Sequence, residues 1–405
     1  MKKIIYIFII VILLTGCKFY DEYEMPEEVN FTLTDSKFEV YSNHTINDLV
    51  EETNAEVLNG DKELKTTKTG DKETEIEYKY GKRTYKYKVT YNVYDDKAPV
   101  IMKYRSEQYT NINEEIDLCD VVVPIDNYDR SLKCSIDGDY DFTVSGVYPL
   151  KYIVKDKAGN QSEEEFNLFV IDPTATPEPS PSTPTVEPED EPEESYSYIL
   201  FDDIEKGYKT KDTMIGIDVS AWQDAIDYEK VKADGAEFVI IRMAYNLEDD
   251  DEIYLDKRFE ENLQNAKKAG LKVGIYVYTN ASTKEEVIKQ AKFIRKNLKK
   301  TKLDFPIAYD FENWSNFKSY KMNTHDLLSR VNEFKDELSK DGYDVMIYSS
   351  KWYLENVWLP SDHDIWLAHY TDQTDYAGEY KIWQICSDGI IDGIEGYVDI
   401  DILYK

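Results

Sequence analysis

The stretch Phe305-Pro-Ile-Ala-Tyr-Asp-Phe-Glu-Asn-Trp314 alternates like a strand and then ends on two acids. Successive strand residues point to opposite faces, so Ile307, Tyr309 and Phe311 share one side while Ala308, Asp310 and Glu312 share the other. A carboxylate buried without a partner is costly. Two acids stacked above a small alanine therefore imply a strand whose exit opens into a pocket. A parallel barrel supplies that setting, because inward side chains fill its interior and working groups stand at the C-terminal ends of its strands.

The surrounding sequence has the same character. Met214–Ser220, Glu237–Tyr245 and Lys272–Asn280 read as strands, and Asp344–Ser350, Asp364–Tyr370 and Lys381–Ser387 as further ones. Between them, 256–270, 284–300 and 324–342 carry apolar residues at helical spacing, the first closed by Gly270. Strand-helix alternation points to a parallel sheet or barrel. The region after Tyr208 is shorter than the ~250 residues of a full eightfold barrel, and its last strands have little helix between them. The expectation is an α/β flattened, incomplete TIM-like barrel whose final third is nearly pure strand.

Polar residues fall late in these strands and in one phase. Asp218 is in phase with Gly216, Arg242 with Phe238 and Ile240, and Tyr276, Tyr278 and Asn280 with Gly274. The last strand, Gly396–Tyr404, adds Asp399 and Asp401. Several carboxyls among aromatics suit glycoside hydrolysis, in which one protonated acid assists the leaving oxygen and an ionised one supports the cationic centre. On one strand face Asp310 and Glu312 lie under ~7 Å apart, close enough for like charge to raise one pKa. An acid-x-acid pair alone more often marks a solvated strand end. Asp218, Asp310, Glu312 and Asp399 also have the oxygen ligands of a Mg²⁺ or Ca²⁺ site, but the loops lack calcium-loop spacing. His369 lies near the site, and zinc would want more histidines. No metal or cofactor is expected.

Towards the N-terminus the organisation changes. Pro173–Ser195 is rich in Pro, Ser, Thr and acids, and reads as an extended spacer. The segments Tyr85–Pro99 and Tyr148–Asp172 alternate large and polar residues, and residues 156–160 mark a hairpin turn. Short alternating strands point to antiparallel sandwiches. The opening residues combine Lys2, Lys3, an apolar run from Ile4 to Leu14 and then Leu14-Thr15-Gly16-Cys17. The run is short of the ~20 residues a membrane span needs and matches a secretory leader. Of the other cysteines, Cys119 and Cys134 either pair in an oxidising exterior or are two small buried residues, and Cys386 reads as a packed thiol. With 48 Lys+Arg against 81 Asp+Glu the net charge is −33, which excludes a nucleic-acid partner, since phosphates need a basic footprint.

Three resemblances sharpen this reading. Leu14-Thr15-Gly16-Cys17 resembles a bacterial lipobox, which implies lipidation at Cys17 and a protein anchored on the outer face of the cell membrane. The 146–160 stretch resembles the last hairpin of bacterial immunoglobulin-like repeats, which makes the N-terminal β-modules spacers or binders, with plain spacer the expected role. The segments Gly216–Gln223, Asp256–Tyr276, Tyr309–Trp314, Ile347–Ser350, Trp366–Tyr370 and Trp383–Leu403 resemble, in order, family 25 of the glycoside hydrolases, the N-acetylmuramidases or lysozymes. That resemblance implies Glu312 as general acid, Asp310 as its partner (nucleophile, base or orienter of the substrate acetamido group), and Asp218 and Asp399 as supporting acids. It also implies a groove of Tyr276, Tyr278, Tyr348, Trp366 and Tyr370, to which the strand phase adds Arg242. Asp401 departs from the family, which commonly has asparagine there. The expected division is a leader over 1–17, β-modules over 18–97 and 98–172, a linker over 173–208 and the hydrolase domain over 209–405. The expected partner is peptidoglycan, acted on by a monomer. The alternatives are a silent glycan-binding scaffold and a hydrolase of another N-acetylated glycan.

Overall fold

A computed structural model describes residues 20–21, 28–103, 105–174, 199–247 and 252–405. The leader with Cys17, and most of the proline-rich linker, lie outside the described residues. The described chain up to Lys97 forms one compact unit and Ala98–Lys405 another. The first unit is built on a hairpin of Gly70–Tyr80 with Arg83–Tyr94, whose tight turn uses Gly81 at φ 60°. Ile76, Tyr78, Val89, Tyr91 and Val93 from this hairpin are buried, as are Ile46 and Leu49 of the same unit.

In the second unit, residues 98–172 form a β-module. Lys133–Asp137, Gly146–Lys155 and Gln161–Ile171 pair antiparallel. The fourth strand of that sheet, Glu107–Asn111, pairs parallel to Gln161–Ile171, where an antiparallel sandwich was expected. The turn at Asp156 is closed by its own carboxylate, which accepts from the Gly159 and Asn160 amides at 2.6 and 2.8 Å. Cys119 and Cys134 are joined by a disulfide.

The C-terminal region is a closed barrel. Its strands are β1 (Thr213–Val219), β2 (Phe238–Tyr245), β3 (Lys272–Tyr278), β4 (Ile307–Asp310), β5 (Val345–Ser350), β6 (Asp364–Ala368), β7 (Ile382–Ile390) and β8 (Val398–Tyr404). From β1 to β7 each strand pairs parallel with the next, and β8 closes the ring antiparallel to both β7 and β1. The sheet is thus complete, where an incomplete barrel was expected; what thins out is the helical layer. Helices α2 (Tyr228–Ala233), α3 (Phe259–Lys268), α4 (Lys284–Leu298), α5 and α6 (Phe317–Tyr320 and Thr324–Leu338) and α7 (Lys351–Asn356) follow β1 to β5, and none follows β6 or β7. The short connection from Ile390 to Val398 cannot make the dozen-residue crossover a parallel return needs, so β8 must run antiparallel.

Residues 199–208, assigned to the linker from their sequence, instead form a short strand on β7 and helix α1 (Phe201–Tyr208), with Phe201 buried in the barrel's outer core. Two apolar layers hold the barrel. Ile307 and Tyr309 face outward to the helices, while Ala308 faces inward with Met214, Phe238, Ile240, Met346, Trp366 and Leu403. The small residues below the acids make room for large ones: a Cβ on Gly216 would lie 2.5 Å from the Phe238 ring. The interior is therefore filled beneath the acids, which puts them at the barrel's open end.

Candidate active site

β4 delivers Asp310 as its last residue, buried, and Glu312 follows beyond the strand end, exposed. The two carboxyls are neighbours, and the buried Oδ1 of Asp310 has no hydrogen-bond partner among the described residues. Burial pushes the Asp310 carboxyl well above its ordinary value, and the negative charge of Glu312 adds to the rise. The like-charge effect expected of this pair therefore falls on Asp310, because Asp310 is the member taken out of water. Of the two, Glu312 is the one a ligand in solution can reach.

A second group of acids lies where the barrel closes. Asp218 on β1 is directly paired with Asp399 on β8, and Gly216 with Asp401. Gln384 on β7 ties this group together. Its Nε2 donates to Asp218 at 2.7 Å and to Asp399 at 3.3 Å, while its Oε1 accepts from the hydroxyls of Tyr348 and Tyr370 at 2.8 and 3.1 Å. Burial raises the Asp218 carboxyl well above its usual range, and the charges of Asp399 and Asp401 add to that. Asp399 is pushed up to about 7, by burial and, less strongly, by the charge of Glu312.

Asp218, Tyr276, Asp310, Glu312, Tyr348, Trp366, Tyr370, Gln384 and Asp399 line a cavity of about 220 Å³ at the barrel mouth. It adjoins a wider groove of about 630 Å³, which shares Glu312, Tyr348 and Tyr370 and adds Trp314, Trp352 and Tyr353. A third cavity of about 680 Å³, beside Trp358 and His363, holds none of the converging acids.

Most of the residues singled out from the sequence meet here, with three differences. Trp366 has only 1% of its surface exposed and donates its indole N–H to Asp401 at 2.8 Å, so it is the pocket floor and offers no open face to a sugar. Arg242 is held by Asp256, with Nε 2.9 Å and one terminal nitrogen 2.8 Å from its Oδ2, and it does not line the pocket. Asp256 also accepts from the Ala221 and Arg258 amides, so this ion pair fixes the loops after β1 and β2. Tyr278 ends β3 beside Asp310 in the sheet, outside the residues lining either cavity. Tyr370, by contrast, is 57% exposed at the rim.

Gln384 was not singled out from the sequence. The available signal was a polar side chain in the inward phase of the otherwise apolar run Ile382–Cys386, two residues after Ile382. Asp401 is the other revision. It is fully buried, its Oδ1 accepts from Trp366, its Oδ2 has no partner among the described residues, and its carboxyl lies close enough to Asp218 to act on it. Burial raises its carboxyl well above the ordinary value.

A raised folded-state value means the folded protein holds that proton more tightly than the unfolded chain does. Stability is then lost as pH rises from the ordinary aspartate value towards the folded one. Asp401→Asn keeps an acceptor for Trp366 and gives Asp218 a permanent donor. We expect the variant to be more stable than the parent at pH 8, by about 1–3 kcal/mol, with the gap closing by pH 4.5. Thermal melts at the two pH values test this; a variant less stable at both would show that the aspartate is not under strain.

Residues 217–394 match the model of glycosyl hydrolases family 25. The autolytic lysozyme of Clostridium acetobutylicum is 28% identical over 191 residues, which is 46% of this chain and 55% of that protein. Lysozyme M1 of Streptomyces globisporus is 27% identical over 198 residues, 45% of this chain and 65% of that one. The chain thus spans little more than half to two thirds of these curated relatives. A family 25 glycosyl hydrolase of known structure from Bacillus anthracis is 23% identical, with a TM-score of 0.42, covering 49% of this chain and 92% of that one.

Proposed function

We propose that the chain is a peptidoglycan hydrolase that cleaves the β-1,4 bond between N-acetylmuramic acid and N-acetylglucosamine. The observation that carries this reading is the neighbouring Asp310–Glu312 pair, one member buried and the other facing an aromatic groove. Such a pair keeps one proton at neutral pH, since both carboxyls cannot ionise cheaply side by side. In the free protein the proton rests on buried Asp310. When a sugar displaces water from Glu312, the proton passes from Asp310 to Glu312, and Glu312 delivers it to the glycosidic oxygen. Asp310, now ionised, faces the positive charge developing at the anomeric carbon. Whether it attacks that carbon, activates water or orients the acetamido group, the same ionised form is needed. Asp218 and Asp399, fixed by Gln384, set the electrostatic background and hold Tyr348 and Tyr370 in place through that amide.

The outer face of the cell membrane is the location we infer, with a lipid on Cys17 as the tether. Lys2, Lys3, the Ile4–Leu14 run and the Leu-Thr-Gly-Cys ending support it. Among the described residues no helix is long and apolar enough to cross a membrane. Cys17→Ser should move the protein from the membrane fraction to the medium; a wild-type protein found mostly in the medium would contradict the tether. The acids and the groove all come from one chain, which supports action as a monomer.

The direct test is to incubate the full chain with purified peptidoglycan and measure new reducing ends in solution. We expect release that grows with time and enzyme. No release from walls of several chemotypes would overturn the hydrolase reading and leave a glycan-binding scaffold.

A further inference from the structure

We infer that the β-module over residues 98–172 is a positioning element of the active site, built to hold the segment that carries Glu312. This rests on the proposal that Glu312 is the working acid. The starting point is a run of sequence, Val121-Val122-Val123-Pro124-Ile125, that is apolar in both strand phases. Such a run marks a strand buried on both faces. Residues Val122–Ile125 pair with Val100–Lys103 in a two-stranded sheet, and its two faces point into different cores. Ile101 and Val122 join the module's own core, with Tyr152 and Phe166. Met102, Val123 and Ile125 join the outer core of the barrel, with Trp314, Phe317 and Met322.

The barrel segment against this sheet is the connection from β4 to α6, which contains Glu312. Val122–Ile125 packs on α5 and on the short turn Trp314–Asn316 just before it. Tyr353 stacks on Trp314 with ring centroids 4.1 Å apart and donates its hydroxyl to Met102 Sδ at 3.2 Å. At the far end of the segment, Asn323 caps α6 by accepting from the Asp326 amide. The same Asn323 donates to the Tyr128 carbonyl at 2.7 Å, and the Thr324 amide donates to the Asp126 carbonyl at 2.9 Å. Arg130 then grips Asp326 with two parallel hydrogen bonds.

The module therefore supplies apolar backing for Trp314 and a partner for the Thr324 amide, which no helix bond can satisfy. A plain spacer would need neither. Tethered domains that move independently have small, polar contacts, whereas this seam is continuous with the barrel core. A proton donor misplaced by about 1 Å can lose on the order of a hundredfold in rate, so a segment leaving β4 as a long irregular excursion needs this support.

The test uses the full chain carrying Ile125→Ala with Arg130→Ala, which opens the seam from the module side and replaces no groove residue. Leu168→Ala serves as the comparison, a cavity in the module's own core that removes no side chain facing the barrel. We expect the seam variant, still folded by circular dichroism, to lose about tenfold in kcat on soluble glycan fragments with KM within about twofold. Amide exchange across 312–323 should accelerate by a similar factor. Leu168→Ala should change neither. If the double variant fails to fold, Arg130→Ala alone should show the same pattern at about threefold. A folded seam variant with unchanged exchange across 312–323 and unchanged kcat would overturn the inference. Should the wild-type chain prove inactive, the hydrolase reading falls, while the exchange measurement still decides whether the module holds the segment.

Discussion

Glu312→Gln should abolish release of reducing ends from peptidoglycan, lowering kcat by about 10³-fold or more while leaving binding to insoluble walls within about twofold. Glutamine keeps the size and a polar neighbour for Asp310, but it has no proton to give. General acid assistance is worth roughly 10²–10⁴-fold, and a sugar alkoxide is too poor a leaving group to depart unprotonated. Glu312 is exposed and follows the strand end, so the substitution creates no buried orphan and no cavity. Loss of activity with an unchanged melting temperature would therefore report chemistry. A variant as active as the parent would remove Glu312 from the mechanism, though not the hydrolase reading itself.

Asp310→Asn should cost almost as much, about 10²–10³-fold in kcat, by a different route. The buried carboxyl stores the pair's proton and then, ionised, balances the charge at the anomeric carbon; asparagine can do neither. The pH dependence separates the two roles. Because burial and then Glu312 raise the Asp310 carboxyl, the singly protonated pair persists above the ordinary carboxylate range. Wild-type kcat should hold through mildly acidic pH and fall as pH rises through that raised value. The falling limb belongs to the pair, not to one residue. In Asp310→Asn the coupling partner is gone, so the falling limb of the residual activity should move to lower pH. Unlike Glu312→Gln, this variant should gain stability at alkaline pH, where the parent must ionise a buried acid. An unshifted limb would mean that the pair does not share its proton.

Most of the barrel was legible in the sequence because phase is a local property. Ala308 below Asp310 and Gly216 below Asp218 announce, within a few residues, which face points inward and where the space for acids lies. Closure was not legible in the same way. It depends on β8 pairing with both β1 and β7, partners that no local period encodes, although the short turn before Val398 forbids a parallel return. The identity of an aromatic's neighbours was equally hidden. Trp366 and Tyr370 lie four residues apart, yet one is the floor beneath the acids and the other an open rim, because Trp366 faces the filled interior and finds Asp401 across it. Gln384 looks like an ordinary strand amide until four partners converge on it from β1, β5, the loop after β6, and β8.

The module seam was missed for a reason of the same kind. Neither Val123 nor Ile125 stands out in the sequence, and nothing local says that alternate residues of one strand serve two cores. The continuous apolar run from Val121 to Ile125 was the signal, since a strand exposed on one face would have alternated.

The central claim is the identity of the bond cut, and the most direct measurement is mass spectrometry of the soluble fragments. The full chain digests purified peptidoglycan, and borohydride then reduces every new reducing end. The account predicts fragments ending in reduced N-acetylmuramic acid, and none from Glu312→Gln. Fragments ending in reduced N-acetylglucosamine would contradict it, because the acids at the mouth of the barrel would then be cutting the other glycosidic bond.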